Sequence, residues 1–270
     1  MRTAPETKEK QLPTILTGLV SAMSDGSVEI FDMTSSLSAD TPTLRLPEPF
    51  TNLVDFELEE VSAYNTPGPF WKHHNIRTGE HIGTHVDAPV HWVSGRDGHD
   101  VATIPVHRLV GPAVVIDVRA QVDNDPDFLL DIADIEEWEA QHGRLPENGW
   151  VLLRTGWDRF SDDQEAFLNT DESGSHTPGI SAAAAEWLAT QRPISGYGVE
   201  TVGIDAGRAA ELDPPFPAHY HLLGNDKYGV TSLQNIAQLP TTGAVLVVLP
   251  LPILGGTGSP ARVLAFVERD

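Results

Sequence analysis

The chain has 270 residues, 40% of them hydrophobic and 21% charged, an ordinary globular composition and enough length to bury a core without disulfide staples. Its formal charge of −22 at pH 7 repels phosphate backbones and anionic lipid surfaces, which argues against nucleic-acid and membrane partners. There is no cysteine, so disulfides, thiolate zinc sites and cysteine nucleophiles are excluded together, leaving His, Asp and Glu as metal ligands.

Residues 1–27 read as an N-terminal arm, partly flexible. Met1 to Pro13 is charged and polar, with Lys8, Glu9 and Lys10 and no apolar stretch after them, unlike a secretory signal. The expected compartment is therefore the cytoplasm. No segment approaches the roughly 20 apolar residues that span a bilayer.

Residues 28–270 read as one domain. Strand-like apolar runs fall at Val28 to Phe31, Ala113 to Val118, Trp150 to Arg154, Ala244 to Leu249 and Val263 to Val267. Several are apolar on both faces, as strands buried in a layered core are. Asp131 can cap a helix with Ile132, Ile135 and Trp138 on one side and Gly143 at its end. Ser181 can cap a second, Ala182 to Gln191, stopped by Pro193. A shorter helix is expected from Leu233 to Gln238. Strands outnumber helices, so the predicted class is α/β, mixed and β-rich. The acidic excess between Asp123 and Glu139, and between Asp158 and Glu172, reads as solvated surface.

The chemistry concentrates in one stretch. Seven of the 11 histidines lie between His73 and His107. Within Gly79-Glu80-His81-Ile82-Gly83-Thr84-His85-Val86-Asp87-Ala88-Pro89-Val90-His91-Trp92, residues 81, 85, 87 and 91 share one parity, so an extended strand points them to one face. In a straight strand His81 and His85 stand about 13 Å apart at roughly 3.3 Å per residue. Two imidazoles on one ion need a bend between them, and Gly83 sits where it is needed. The spacing thus predicts a kinked strand or loop that gathers His81, His85 and Asp87 around one divalent ion. Such a set leaves positions free for water and substrate. His91, farther along the same face, can move protons in the neutral range.

Phe70, Trp71 and Trp92 flank this stretch as core or as walls of an apolar pocket; on a regular strand Trp92 points away from His91 and lines a pocket only if the backbone turns. His219 is a candidate substrate contact, with His221, His73 and His74 weaker. His176 precedes the second helix and is a candidate for a second metal or for substrate. There is no Gly-x-Ser-x-Gly elbow, no Walker loop and no strand-embedded Gly-x-Gly-x-x-Gly. Gly255-Gly256-Thr257-Gly258-Ser259-Pro260 lacks the phosphate-binding Lys and precedes a strand, so it reads as a turn.

The segment His81 to Trp92 resembles the signature of the metal-dependent cyclase family, His-x-Gly-Thr-His-x-Asp-x-Pro-x-His, at every fixed position. Pro178-Gly179-Ile180-Ser181, Val202-Gly203-Ile204-Asp205 and the stretch from Leu249 to Arg262 extend the resemblance over roughly residues 28 to 268. That family includes kynurenine formamidases and isatin hydrolases. The resemblance implies a swivelling β/β/α fold, a homodimer or higher homo-oligomer, and amide or lactone hydrolysis at Mn²⁺ or Zn²⁺. Carried over, His81, His85 and Asp87 are the ligands and His91 the catalytic residue. Phe216-Pro217-Ala218-His219 and the Trp at 92 look like the isatin hydrolase branch, implying a small aromatic cyclic amide as substrate. Formamidases bind a second metal through a further His and Glu. His176 is a candidate for the former and Glu186 or Glu200 for the latter, while Gln234-Asn235-Ile236 stands where relatives often read Glu-Asn-Leu. The expected activity is hydrolysis of isatin to isatinate. A formamidase or lactonase with the same centre is the alternative, and a non-catalytic metal-dependent binding protein the alternative of another class.

Overall fold

Why the sequence alternates buried and buried again along its middle strands is answered by a closed barrel with apolar groups on both sides of its wall. The computed structural model describes residues 14–46, 48–66 and 68–269. In chain order these form α1 (Thr14–Asp25), β1 (Val28–Asp32), a hairpin of β2 (Glu57–Asn65) and β3 (Gly68–Arg77), β4 (His85–Asp87) and β5 (Val110–Asp117). There follow α2 (Ile132–His142), β6 (Trp150–Arg154), α3 (Ala182–Gln191), β7 (Gly196–Val199), β8 (Tyr228–Thr231), β9 (Ala244–Pro250) and β10 (Gly258–Glu268).

Strands β10, β9, β5, β6, β7, β8 and β4 pair in that order, and β4 returns to β10, closing a seven-stranded barrel with β1 added outside on β10. β5, β6, β7 and β8 run parallel, and the other barrel pairings are antiparallel. The fold is mixed α/β with few helices, as the sequence led one to expect.

The two-residue period of a strand sorts the core into two clusters. Ala113, Val115, Trp150, Leu152, Val230, Leu246 and Val263 fill one, together with Val86 and Ala88 of the histidine segment. Val114, Ile116, Val151, Leu153, Tyr197 and Val199 face the other, where Ile135 and Trp138 of α2 and Leu188 of α3 cover them. At roughly 25 cal/mol per Å² of apolar area, these large buried side chains supply most of the drive to close the barrel.

Both main helices start where their caps are. The Asp131 side chain accepts from the Ile132 amide and forms a capping box with Asp134, and α2 stops at Gly143 with φ 91°. The Ser181 hydroxyl accepts from the Ala184 amide at the start of α3.

One expectation changes, and the N-terminal arm is described only in part. Of the arm over residues 1–27, residues 1–13 lie outside the described residues, but 14–25 form a helix that buries none of its residues. The predicted helix from Leu233 to Gln238 is only a 3₁₀ turn, Ile236–Gln238. Ser232 and Asn235 take φ of 51° and 60°, and the amides of Leu233 and Gln234 bond to the carbonyls of Val199 and Met33. The left-handed conformation at Asn235 breaks the helical run after two residues. Among the described residues no helix is long and apolar enough to cross a membrane.

Candidate metal centre

Strand β4 is three residues long and carries two of the three candidate ligands. It is clasped on both edges: His85 lies opposite Thr231 of β8 and Pro260 of β10, and Asp87 opposite Gly229 and Gly258. A strand held on both sides cannot slip register, so His85 and Asp87 are fixed on one face. Gly83 adopts φ 56°, a left-handed conformation that places the bend between His81 and His85 where the spacing demanded one.

The three side chains converge. Ligand atoms of His81, His85 and Asp87 all lie within 4.8 Å of one another, and among the described residues this is the group of three able to hold a metal ion. The Asp87 Oδ1 atom is 2.8 Å from His81 Nδ1 and 3.4 Å from His85 Nε2. His85 Nδ1 is 2.8 Å from the Gly83 carbonyl, which accepts its proton and leaves Nε2 with a lone pair facing the cluster. Burial acts to raise the Asp87 carboxyl, but its contacts with the His81 and His85 rings more than offset it and hold the group well below the usual carboxylate range. An ionised carboxylate and two imidazoles, nearly sealed from water, match the donor chemistry of a divalent transition metal.

Past Asp87 the chain leaves the strand. Pro89 opens a 3₁₀ turn, Pro89–His91, whose last amide bonds to Ala88. His91 is therefore on a turn and not on the strand face, yet it still arrives at the cluster: its ring stacks on His81 at 3.9 Å between centroids. Burial, reinforced by the neighbouring imidazoles and opposed by Asp87, lowers its pKa to about 3. The same turn swings Trp92 round, so that its ring lies 4.8 Å from His219 and 5.6 Å from Phe216.

His219 opens a π-helical turn, His219–Leu223. Its Nδ1 is 2.6 Å from Asp205 Oδ2, and its Nε2 lies 3.9 Å from Asp87 Oδ2. Asp205 also accepts the Ala218 and His219 amides, so it locks both the turn and the ring. Burial works against charge on His219, but the hydrogen bond and charge of Asp205, with Asp87 beyond, raise its pKa overall. Asp205 was given no role from sequence, although it ends one of the stretches quoted for the family resemblance.

The structure does not bring the other candidates here. Phe70 and Trp71 sit on the β2–β3 hairpin, 85% and 49% exposed, with Trp71 stacked on His73. His74 is on the same hairpin. His176 is tied to Asp127 at 2.6 Å and Asp171 at 3.2 Å, a separate ion cluster. Glu200 is buried and its Oε2 accepts from the amides of Thr155, Gly156 and Trp157 and from the Thr155 hydroxyl.

Four likenesses to known proteins bear on this site. The family described as "Putative cyclase" matches residues 31–206. The chain is 44% identical to isatin hydrolase from Roseibium aggregatum over 257 residues, 94% of this chain and 97% of the relative. It is 29% identical to kynurenine formamidase from Salinibacter ruber over 198 residues, 70% of this chain and 77% of that one. Among solved structures, an isatin hydrolase bound to the product analogue thioisatinate matches with a TM-score of 0.93 at 42% identity, covering 96% of this chain and 100% of that one.

Proposed function

The chain belongs to the cyclase family, and on that premise we propose that it is a metal-dependent amidohydrolase that opens the lactam ring of isatin with water to give isatinate. The convergence of His81, His85 and Asp87, with His91 stacked beside them, carries the proposal.

His81, His85 and Asp87 hold the ion, either Mn²⁺ or Zn²⁺, since a two-imidazole, one-carboxylate set suits both. When bound, that ion polarises the lactam carbonyl and lowers the pKa of water. Trp92 and Phe216 form an aromatic wall on which a flat bicyclic ring can stack. His219, held by Asp205 and favoured in its charged form, offers Nε2–H to a substrate oxygen. His91, neutral at ordinary pH, takes a proton from the attacking water as the C–O bond forms and passes it to the ring nitrogen as the C–N bond breaks. The product is an open-chain carboxylate with a free aromatic amine.

We read the centre as a single-ion site, supported by the engagement of His176 with Asp127 and Asp171 and of Glu200 with backbone amides. We also infer a homodimer or higher homo-oligomer in the cytoplasm. Leu58, Tyr64, Phe70, Trp71 and Ile76 expose apolar surface on one hairpin, as an assembly surface does. Phe70 and Trp71 would keep the substrate role expected of them only by reaching the site of a second copy.

The kynurenine formamidase likeness supports a second reading, hydrolysis of N-formylkynurenine at the same centre. Relative kcat/KM on isatin, N-formylkynurenine and a simple lactone decides between them. Isatin is expected to lead, and a higher value on the formyl substrate would replace the first reading with the second.

A further inference from the structure

The glycine-rich stretch Gly255-Gly256-Thr257-Gly258 has so far no part in the chemistry. In the fold it packs against the first ligand and the residue before it. The Thr257 hydroxyl lies 2.6 Å from Glu80 Oε2 and 2.8 Å from His81 Nε2, and the Thr257 amide donates to the same Glu80 oxygen at 3.3 Å. The Thr257 carbonyl in turn accepts the Ala88 amide, tying the loop to the end of β4.

At Gly256 and Gly258 a side chain would collide with the residues the loop packs on, whereas Gly255 has open space and a left-handed φ of 74°. A Cβ on Gly258 would stand 2.5 Å from His81 Cε1 and 2.9 Å from its Nδ1, and one on Gly256 would stand 2.9 Å from Glu80 Oε1. The loop is thus shaped around the His81 ring and the Glu80 carboxylate.

Counting protons fixes the direction of the chain. A carboxylate only accepts, so the single hydroxyl proton of Thr257 goes to Glu80, and a lone pair of Thr257 Oγ1 then faces His81 Nε2. Nε2 must carry the proton. A neutral imidazole protonated at Nε2 has a bare lone pair at Nδ1, the atom 2.8 Å from Asp87 Oδ1. That nitrogen lies on the side of the cluster where the candidate donor atoms of Asp87 and His85 converge, so it is the one the ring has free to offer an ion.

We propose that Glu80 and Thr257 are positioning residues: the Glu80–Thr257–His81 relay fixes the Nε2–H tautomer of His81 and presents Nδ1 to the metal. This rests on the metal centre proposed above. Groups behind a ligating histidine set its tautomer and basicity, and their loss typically weakens metal affinity by about 10–100-fold.

The test is manganese titration of the full-length protein by calorimetry, for wild type, Thr257→Val, Thr257→Ser and Glu80→Gln. Thr257→Val keeps the shape and removes the hydroxyl, and is expected to bind manganese about 10–100-fold more weakly. Thr257→Ser restores the hydroxyl and is expected to stay near wild type. Glu80→Gln still accepts from Thr257 but brings no charge, and should fall between them. In ¹⁵N-histidine spectra of the zinc-loaded protein, His81 should carry its proton on Nε2. Wild-type affinity in Thr257→Val, or equal losses in Ser and Val, would overturn the relay. Should Thr257→Val fail to fold, unchanged affinity in Glu80→Gln or an Nδ1-protonated His81 would do the same. A wild type that takes up no manganese or zinc would remove the centre itself, and the relay with it.

Discussion

The imidazole of His91 lies flat against that of His81, with ring planes 27° apart. The contact seats His91 beside a proposed ligand but outside the three candidate donors, and its burial keeps it neutral. His91→Ala should therefore lower kcat by about 10²–10⁴-fold, the usual worth of a general acid–base group, while metal content stays at the wild-type level. Elemental analysis alongside single-substrate kinetics checks both halves. Loss of the metal with the side chain would make His91 a ligand instead.

Asp205 and His219 form a pair in which the carboxylate orients the ring toward the site. Asp205→Asn keeps the size of the side chain and removes the charge that favours the imidazolium. KM for isatin should rise about tenfold, in line with a weakened charged hydrogen bond, with a smaller change in kcat. Steady-state kinetics resolves the split. A fall in kcat alone would place His219 in proton transfer.

The hydrogen bonds of Asp127 and Asp171 raise the pKa of His176 above its ordinary value, against a smaller opposing effect of burial. A group whose folded pKa is raised stabilises fully below its unfolded pKa, near 6.5, and loses that contribution as pH rises through the folded value. The difference in Tm between wild type and His176→Gln should thus be largest at pH 5 to 6 and shrink on the alkaline side of neutrality. Metal stoichiometry should not change. A second ion lost in His176→Gln would restore the two-metal option.

Glu200 collects three backbone amides and a hydroxyl on one buried oxygen. Glu200→Ala leaves those donors without a partner and should destabilise the fold by about 2–5 kcal/mol, measurable by urea denaturation, with metal stoichiometry intact. Near-wild-type stability would mean that water replaces the carboxylate.

How far the sequence carried depends on the range of each interaction. The convergence of His81, His85 and Asp87 was legible because one short motif encodes both the candidate ligands and the Gly83 bend that gathers them. Asp131, Gly143 and Ser181 marked their helices because a cap acts on adjacent turns. Barrel closure was not legible, since the return pairing of β4 with β10 joins residues more than half the chain apart. The same distance hid Thr257, whose partner His81 lies far back in the sequence. Leu233 to Gln238 misled because its helical composition does not show that Asn235 turns left-handed, which leaves only the short turn from Ile236. Phe70 and Trp71 adjoin the motif in sequence, but the hairpin carries them into solvent.

The central claim, ring opening of isatin at the His81, His85 and Asp87 centre, is tested most directly by following isatin absorbance with protein stripped by chelator and then resupplied with manganese or zinc. The account predicts no turnover after stripping and recovery when one of the two ions is returned. Turnover that survives complete removal of metal, or silence with both ions restored, would contradict it.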